Sequence, residues 1–363
     1  MHVVRAITLM TGILALTRLW ACGPVPTPAT DGRSLESPGP ASWRGTVFPG
    51  LVVTPPATSG AAPEPADHYA FAFDTGGTSI LARYRMDTHD VTFFPQAGEG
   101  LGSVSEPYPF VFFYDLDGDI VLYDVNREER VTLVDGREVG GFAFSPSIDK
   151  RDALYFLGTA DPDLADQGIG FAYAAFAPTP PASGDYHAPR DGDGLSKVVA
   201  IAPINALADA HGGVTSLRIA NKGGFAVFST ADGGLYLYRT DDHTVLNLLP
   251  TSILDQPAFA DSPRVDPYQN RYVVWQDLST RRTCVLDLWN GHVDVVPYLN
   301  GANGGSIDPA PSFIDAYRIV FSVQPPSEEG GAFLVLYDIR TESLAILLAL
   351  DAFETTTGRR EEG

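Results

Sequence analysis

From residue 67 onward the chain alternates between short apolar runs and polar punctuation. Val, Tyr, Phe and Ile cluster between Gly, Asp, Asn and Pro, the pattern of strands joined by turns. No long stretch carries helical periodicity. The best helix candidate is residues 204–210, barely two turns. The pattern therefore predicts an all-β domain.

The strands repeat. One unit is an apolar strand that ends in Tyr or Leu, often followed by Asp and then a turn. Its copies are Leu81-Ala82-Arg83-Tyr84, Val121-Leu122-Tyr123-Asp124, Tyr236-Leu237-Tyr238, Cys284-Val285-Leu286-Asp287 and Leu334-Val335-Leu336-Tyr337-Asp338, with a weak sixth at Val199-Ala200-Ile201. Anchored on Tyr84, Tyr123, Ile201, Tyr238, Leu286 and Tyr337, the intervals are 39, 78, 37, 48 and 51 residues. The second is about double because the third unit contains an insertion. Upstream of several copies lies a second unit, with Ser-Pro, then Asp, then a strand. It reads Ser145-Pro146 and Asp149 before Ala153-Leu154-Tyr155-Phe156, and Ser262-Pro263 and Asp266 before Tyr272-Val273-Val274-Trp275. It reads Pro311-Ser312 and Asp315 before Ile319-Val320-Phe321, with a less regular copy at Thr215-Ser216-Leu217-Arg218.

A period near 40–50 residues fits a four-stranded propeller blade. Short amphipathic sheets cannot bury both faces alone, and radial stacking buries the faces and protects the edges. The combined unit resembles the TolB-like propeller repeat of bacterial envelope proteins, over roughly residues 67–350. That resemblance implies a fold and says little about activity, because the motif packs blades. The expectation is a single β-propeller of four-stranded blades over residues 67–352, most simply six-bladed. Seven is the alternative, because residues 141–204 have room for two blades. A strand around residues 47–53 is expected to close the ring by joining the last blade.

The N-terminus reads as an address. Residues 1–21 carry Arg5, no acidic residue and an apolar run from 6 to 16 that Arg18 follows, the layout of an export signal. The run is too short for a membrane-spanning helix. It ends in Leu19-Trp20-Ala21-Cys22-Gly23. This resembles the bacterial lipoprotein signal, which implies lipid attachment at Cys22; an ordinary signal peptide with a chance Cys is the plainer reading. Residues 23–66 then hold 10 of the chain's 29 prolines, which predicts an extended, semi-rigid tether outside any sheet. Residues 353–363 read as a polar tail. The expected location is extracytoplasmic, with the domain held to a membrane through Cys22. The other cysteine, Cys284, lies in a strand-like run and reads as a small buried hydrophobe.

Charge narrows the partners. There are 24 Lys plus Arg against 45 Asp plus Glu, a formal net charge of −21, which disfavours nucleic acid because phosphate binding needs a basic patch.

Candidate chemistry is sparse. Asp74-Thr75-Gly76 matches half of an aspartic-protease signature, but no second copy exists to share a proton, so a hairpin turn is expected. Asp115, Asp117 and Asp119 invite a calcium reading. Gly118 stands fourth in that loop instead of sixth, and Asn126 holds the twelfth position, so Asp117-Gly118 reads as a turn and no metal is assigned. The seven histidines form no zinc pair, and no nucleophile elbow, phosphate loop or dinucleotide fingerprint occurs. No catalytic residue and no cofactor are assigned.

Residues 159–195 interrupt the repeat. Phe171 to Phe176 reads as an extra strand, and the flanking Pro and Asp-Gly segments as surface loops, with Tyr186, His187 and Arg190 expected to contact a partner. The function expected is a non-enzymatic binding or scaffold module facing an envelope protein or a glycan. The alternative is a propeller hydrolase or lyase acting on glycans through acidic channel residues.

Overall fold

The structure is a computed structural model. It describes residues 35–36, 45–46, 68–74, 79–85, 91–94, 110–115, 117–124, 128–148, 153–176, 196–220, 223–249, 259–279, 282–296, 298–299, 311–323 and 333–349.

In chain order, two short strands come first, β1 (Leu35–Glu36) and β2 (Gly45–Thr46). A first sheet follows with β3 (His68–Asp74), β4 (Ser79–Arg85) and β5 (Val91–Phe94). The second holds β6 (Phe110–Tyr114), β7 (Ile120–Asp124) and β8 (Glu129–Val134). The third holds β9 (Phe142–Ile148), β10 (Ala153–Thr159), β11 (Phe171–Phe176) and β12 (Ser196–Ala200), with the short helix α1 (Pro162–Asp166) between β10 and β11. Helix α2 (Ala202–Ala210) leads to the fourth, β13 (Val214–Ile219), β14 (Phe225–Thr230), β15 (Leu235–Arg239) and β16 (Val245–Asn247). The fifth holds β17 (Ala260–Val265), β18 (Tyr272–Asp277), β19 (Arg282–Asp287) and β20 (His292–Val295). After β21 (Tyr298–Leu299) comes the sixth, β22 (Ser312–Phe313), β23 (Arg318–Val323), β24 (Phe333–Asp338) and β25 (Ser343–Ala349). In each of these six sheets the strands just named pair antiparallel with their neighbours in sequence, as simple meanders.

Burial explains the sequence pattern. The second strands β10, β14 and β18 are buried at every position and read as largely apolar runs, because both faces are covered. Successive sheets stack face to face. Phe112, Ile120 and Leu122 pack with Leu154, Phe156 and Ala175 between the second and third sheets. Leu157 and Ala172 meet Leu217 and Phe228 between the third and fourth. Val227 and Leu237 meet Trp275, Cys284 and Leu286 between the fourth and fifth. Val274 and Val285 meet Ile319, Phe321 and Val335 between the fifth and sixth. Alternation along a strand thus feeds two different interfaces, Val274 into one and Trp275 into the other. Cys284 is buried, in the role its surroundings suggested.

The Ser-Pro unit falls on the first strand and is a β-bulge. Tyr155 pairs with Ser147 and Leu157 with Phe144, so Phe156 alone faces Ser145-Pro146. In the fifth sheet Trp275 likewise faces Ser262-Pro263. Proline cannot donate to the ladder, and the bulge absorbs that gap. Ser145 and Ser262 both take left-handed backbone, at φ 55° and 47°.

Three expectations change. Val199-Ala200-Ile201 is not the third-strand repeat; β12 is a fourth strand, and Phe171–Phe176 holds the third-strand place. Pro203, with φ fixed and no N–H, begins α2 directly after it. Residues 142–200 make one sheet, which removes the ground for a seventh blade there. The tether is not wholly outside sheets: β1 pairs with β21, and β2 adds a fifth strand to the edge of β20. Both lie in proline-free stretches, whose N–H groups remain available. Residues 47–53 lie outside the described residues; Gly45–Thr46, which precede them, join the fifth sheet, not the last.

Candidate functional site

Cys22, Tyr186, His187 and Arg190 lie outside the described residues. Asp115, Asp117 and Asp119 lie at a hairpin turn, where Tyr114 pairs with Ile120. The Asp115 carboxylate accepts from the backbone N–H of Asp117 and Asp119, each at 3.1 Å, and from the Arg130 guanidinium. Asp119 accepts from Gly136 N–H at 2.9 Å. Gly118 has φ 81°, and a Cβ there would lie 2.8 Å from the Phe142 ring, so the turn needs glycine. The triplet therefore works as turn and cap. Asp74 pairs with Ser79 across the β3–β4 hairpin, as a turn reading of Asp-Thr-Gly requires.

The recurring aspartates of the repeat hold turns too. Asp266 accepts from the N–H groups of Tyr268, Gln269 and Arg271. Asp315 accepts from Tyr317 and Arg318 N–H and from the Arg318 side chain. Asp287 takes Trp289 N–H at 2.9 Å and the Arg271 fork at 2.6 and 3.1 Å, while Arg271 stacks 4.7 Å over the Trp289 ring. Asp338 caps Arg340 and Thr341. Each Asp accepts from turn N–H groups two to five residues on, which explains its recurrence.

A different group forms on the first strands. Arg218 of β13 and Arg264 of β17 stand at equivalent repeat positions, two residues after Ser216 and Ser262. Arg218 is buried and bridges sheets: its Nη1 donates to the Ser145 carbonyl and hydroxyl, each at 3.0 Å, and to the Pro146 carbonyl at 3.3 Å. It also donates to the Leu217 carbonyl at 3.0 Å, and Ile219 N–H donates to Ser147 Oγ at 3.0 Å. Burial, and then the nearby charge of Arg264, lower the proton affinity of the Arg218 guanidinium. Asp261 accepts from Ser262 Oγ at 3.1 Å. Burial raises its carboxyl above the usual range, against the pull of Ser262 and Arg264. The first strands therefore gather guanidinium groups beside one reluctant acid. Among the described residues, no three His, Cys, Asp or Glu side chains gather to hold a metal ion. The polar position after Ser-Pro or Ser-Leu was visible in the repeat, but only the fold shows that it faces a neighbouring first strand.

The Asp261 group gives a pH prediction. A carboxyl whose folded-state pKa is raised favours the folded state below its unfolded pKa, and that contribution is lost as pH rises through the folded value. Asp261→Asn should therefore stabilise the fold at pH 7, and the difference should vanish near pH 3. Denaturant midpoints at the two pH values read it; equal midpoint shifts at both would contradict the raised carboxyl.

A smaller constellation lies at the end of α2. His211 Nδ1 is 2.6 Å from Asp232 Oδ2, and Thr230 Oγ1 donates to Asp232 Oδ1 at 2.7 Å. Burial works to raise the Asp232 carboxyl, and these two hydrogen bonds outweigh it, holding it below the usual range.

No protein-family model matches this chain, and no curated protein matches its sequence. Solved structures do. TolB from Acinetobacter baumannii superposes with a TM-score of 0.51 at 12% identity, covering 77% of this chain and 62% of that one, under two thirds of its length. A nidogen/laminin complex gives a TM-score of 0.51 at 12% identity, covering 76% of this chain and 91% of that one. The fold is a β-propeller. An oligogalacturonate lyase in complex with manganese is also similar, with a TM-score of 0.49 at 9% identity, covering 78% of this chain and 74% of that one. At these identities the likeness concerns the fold alone. In this propeller the four-stranded meanders are blades with β9, β13, β17 and β22 as first strands, and the Arg218–Arg264–Asp261 group belongs to those first strands.

Proposed function

We propose that this chain is an exported six-bladed propeller, lipid-anchored at Cys22, that binds an envelope protein or a glycan and catalyses no reaction. The supporting observation is the use made of its acids. Asp115, Asp266, Asp287, Asp315 and Asp338 are engaged by turn N–H groups and by arginines, so the repeat's carboxylates serve the scaffold. Catalysis by paired acids needs two carboxyl groups held for a substrate. Loops on a rigid ring suit recognition instead. In this reading Tyr186, His187 and Arg190 supply contacts from the insertion in the third blade.

Two measurements test it. Mass spectrometry of the mature N-terminus should find a diacylglyceryl-modified Cys22; a free N-terminus elsewhere ends the anchor. Replacing residues 178–194 by a short Gly-Ser bridge should leave the melting transition nearly unchanged and abolish partner capture from envelope extract. Capture that survives the replacement places the binding face elsewhere.

One observation favours a second reading. Asp261 is a half-buried carboxyl with raised proton affinity near Arg264, a setting that suits a general acid. A hydrolase or lyase acting on acidic glycans would use it, and Asp261→Asn would then abolish turnover while leaving binding in place.

A further inference from the structure

The first strands converge. β6 touches β9, β9 touches β13, β13 touches β17 and β17 touches β22, so together they form the inner wall around the propeller axis. Strand register sets the depth of each residue on that wall. Ser147 pairs with Tyr155, Arg218 with Val227 and Arg264 with Val274. Each of these partners is the third residue of its second strand, so Ser147, Arg218 and Arg264 occupy one layer across three blades. Val274 and Gln276 lie on one face of β18. Their partners Arg264 and Asp261 therefore share a face as well, and the Ser262-Pro263 bulge absorbs the extra residue. The charge of this layer is unfavourable to the fold. Arg218 is only 6% exposed, and its hydrogen bonds named above go to carbonyl and hydroxyl oxygens. Arg264 is half-buried, and the two guanidiniums lie close enough to repel. Neutral donors would serve the same carbonyls without burying like charges together. The chain carries a formal net charge of −21, so this positive layer is not the overflow of a basic surface. Asp261 offsets it poorly, because burial disfavours its charged form.

We propose that this layer of the inner wall binds the carboxylate of a sugar acid, with Arg264 as the residue that meets it. A guanidinium fork takes a planar carboxylate through two parallel N–H···O bonds. Arg264 keeps exposed surface for that contact, while Arg218, nearly enclosed, contributes its field, which low-dielectric walls focus inward. A single negative charge suits two guanidiniums that have one acid beside them. An inorganic phosphate dianion brings more charge against Asp261 and lacks the planar fork. Ser262, half-buried on the same strand, donates to Asp261 and can still accept from a sugar hydroxyl. The site makes no use of the third-blade insertion, so it stands or falls apart from the contacts proposed there. Nor does it require that Asp261 turn the ligand over.

Titration calorimetry on the full-length chain tests this, with glucuronate, glucose and inorganic phosphate as probes. Glucuronate should bind, glucose should give no binding heat, and phosphate should bind several-fold more weakly than glucuronate. Arg264→Gln should weaken glucuronate by roughly ten-fold or more, the loss of a charge-assisted pair. Arg264→Lys keeps the charge without the fork and should weaken it several-fold. The melting transition of each variant reports whether the propeller is intact, and where the glutamine variant does not fold, the lysine variant decides. No binding of glucuronate to the native chain overturns the proposal. So do glucose or phosphate binding as tightly as glucuronate, and so does an unchanged affinity in a folded Arg264 variant.

Discussion

Trp275→Ala will destabilise the propeller by about 3–5 kcal/mol, the range for emptying a large aromatic site in a packed core. Trp275 is fully buried between the fourth and fifth blades, among Val227, Leu237, Cys284 and Leu286. It also stands opposite the Ser262-Pro263 bulge, so its ring backs the point where the first strand leaves the regular ladder. The loss should appear as a shift in denaturant midpoint with the slope unchanged. Trp275→Phe should recover most of it. A cost below about 1 kcal/mol for the alanine variant would mean that this interface is not close-packed.

Arg218→Ala should cost about 3 kcal/mol. The competing terms can be compared. Burying a guanidinium is unfavourable, and Arg264 nearby adds to that, so removing the charge relieves something. Against this, the variant strips a donor from the carbonyls of Ser145, Pro146 and Leu217, each buried acceptor costing about 1–3 kcal/mol when left unmet. The acceptors win because they are several and because two belong to the neighbouring blade. Arg218→Lys keeps the charge without the planar fork and should recover only part of the loss. An Arg218→Ala variant as stable as the parent would show that the inter-blade bridge is dispensable.

The parts of this fold that were legible in the sequence are those fixed by local chemistry. Strand runs, the Asp117-Gly118 turn and the Tyr-Asp ends of third strands all declare themselves through residue type, because burial on both faces demands continuous apolar runs and hairpin ends demand a capping carboxylate. Third-blade register was misread because Phe171–Phe176 lacks the closing Asp that marks β19 and β24. Val199-Ala200-Ile201 offered a similar apolar triplet, and only the helix start at Ala202 and the pairing of β11 with β10 decide between them. The N-terminal strands β1 and β2 were hidden for a different reason. They are two residues long, so their pairing is set by a distant edge and leaves no periodic signal. The Arg218–Arg264–Asp261 group was visible as residues and invisible as a cluster, since nothing local says which repeat positions face each other across first strands.

On the function proposed above, this propeller holds a partner and leaves it unaltered. The decisive measurement is the mass of whatever the full-length chain retains from envelope extract, taken at capture and again after prolonged incubation on the immobilised protein. The account predicts a retained partner whose mass is the same at both times. Release of a shortened or unsaturated product, absent with Asp261→Asn, would contradict it and make the chain an enzyme.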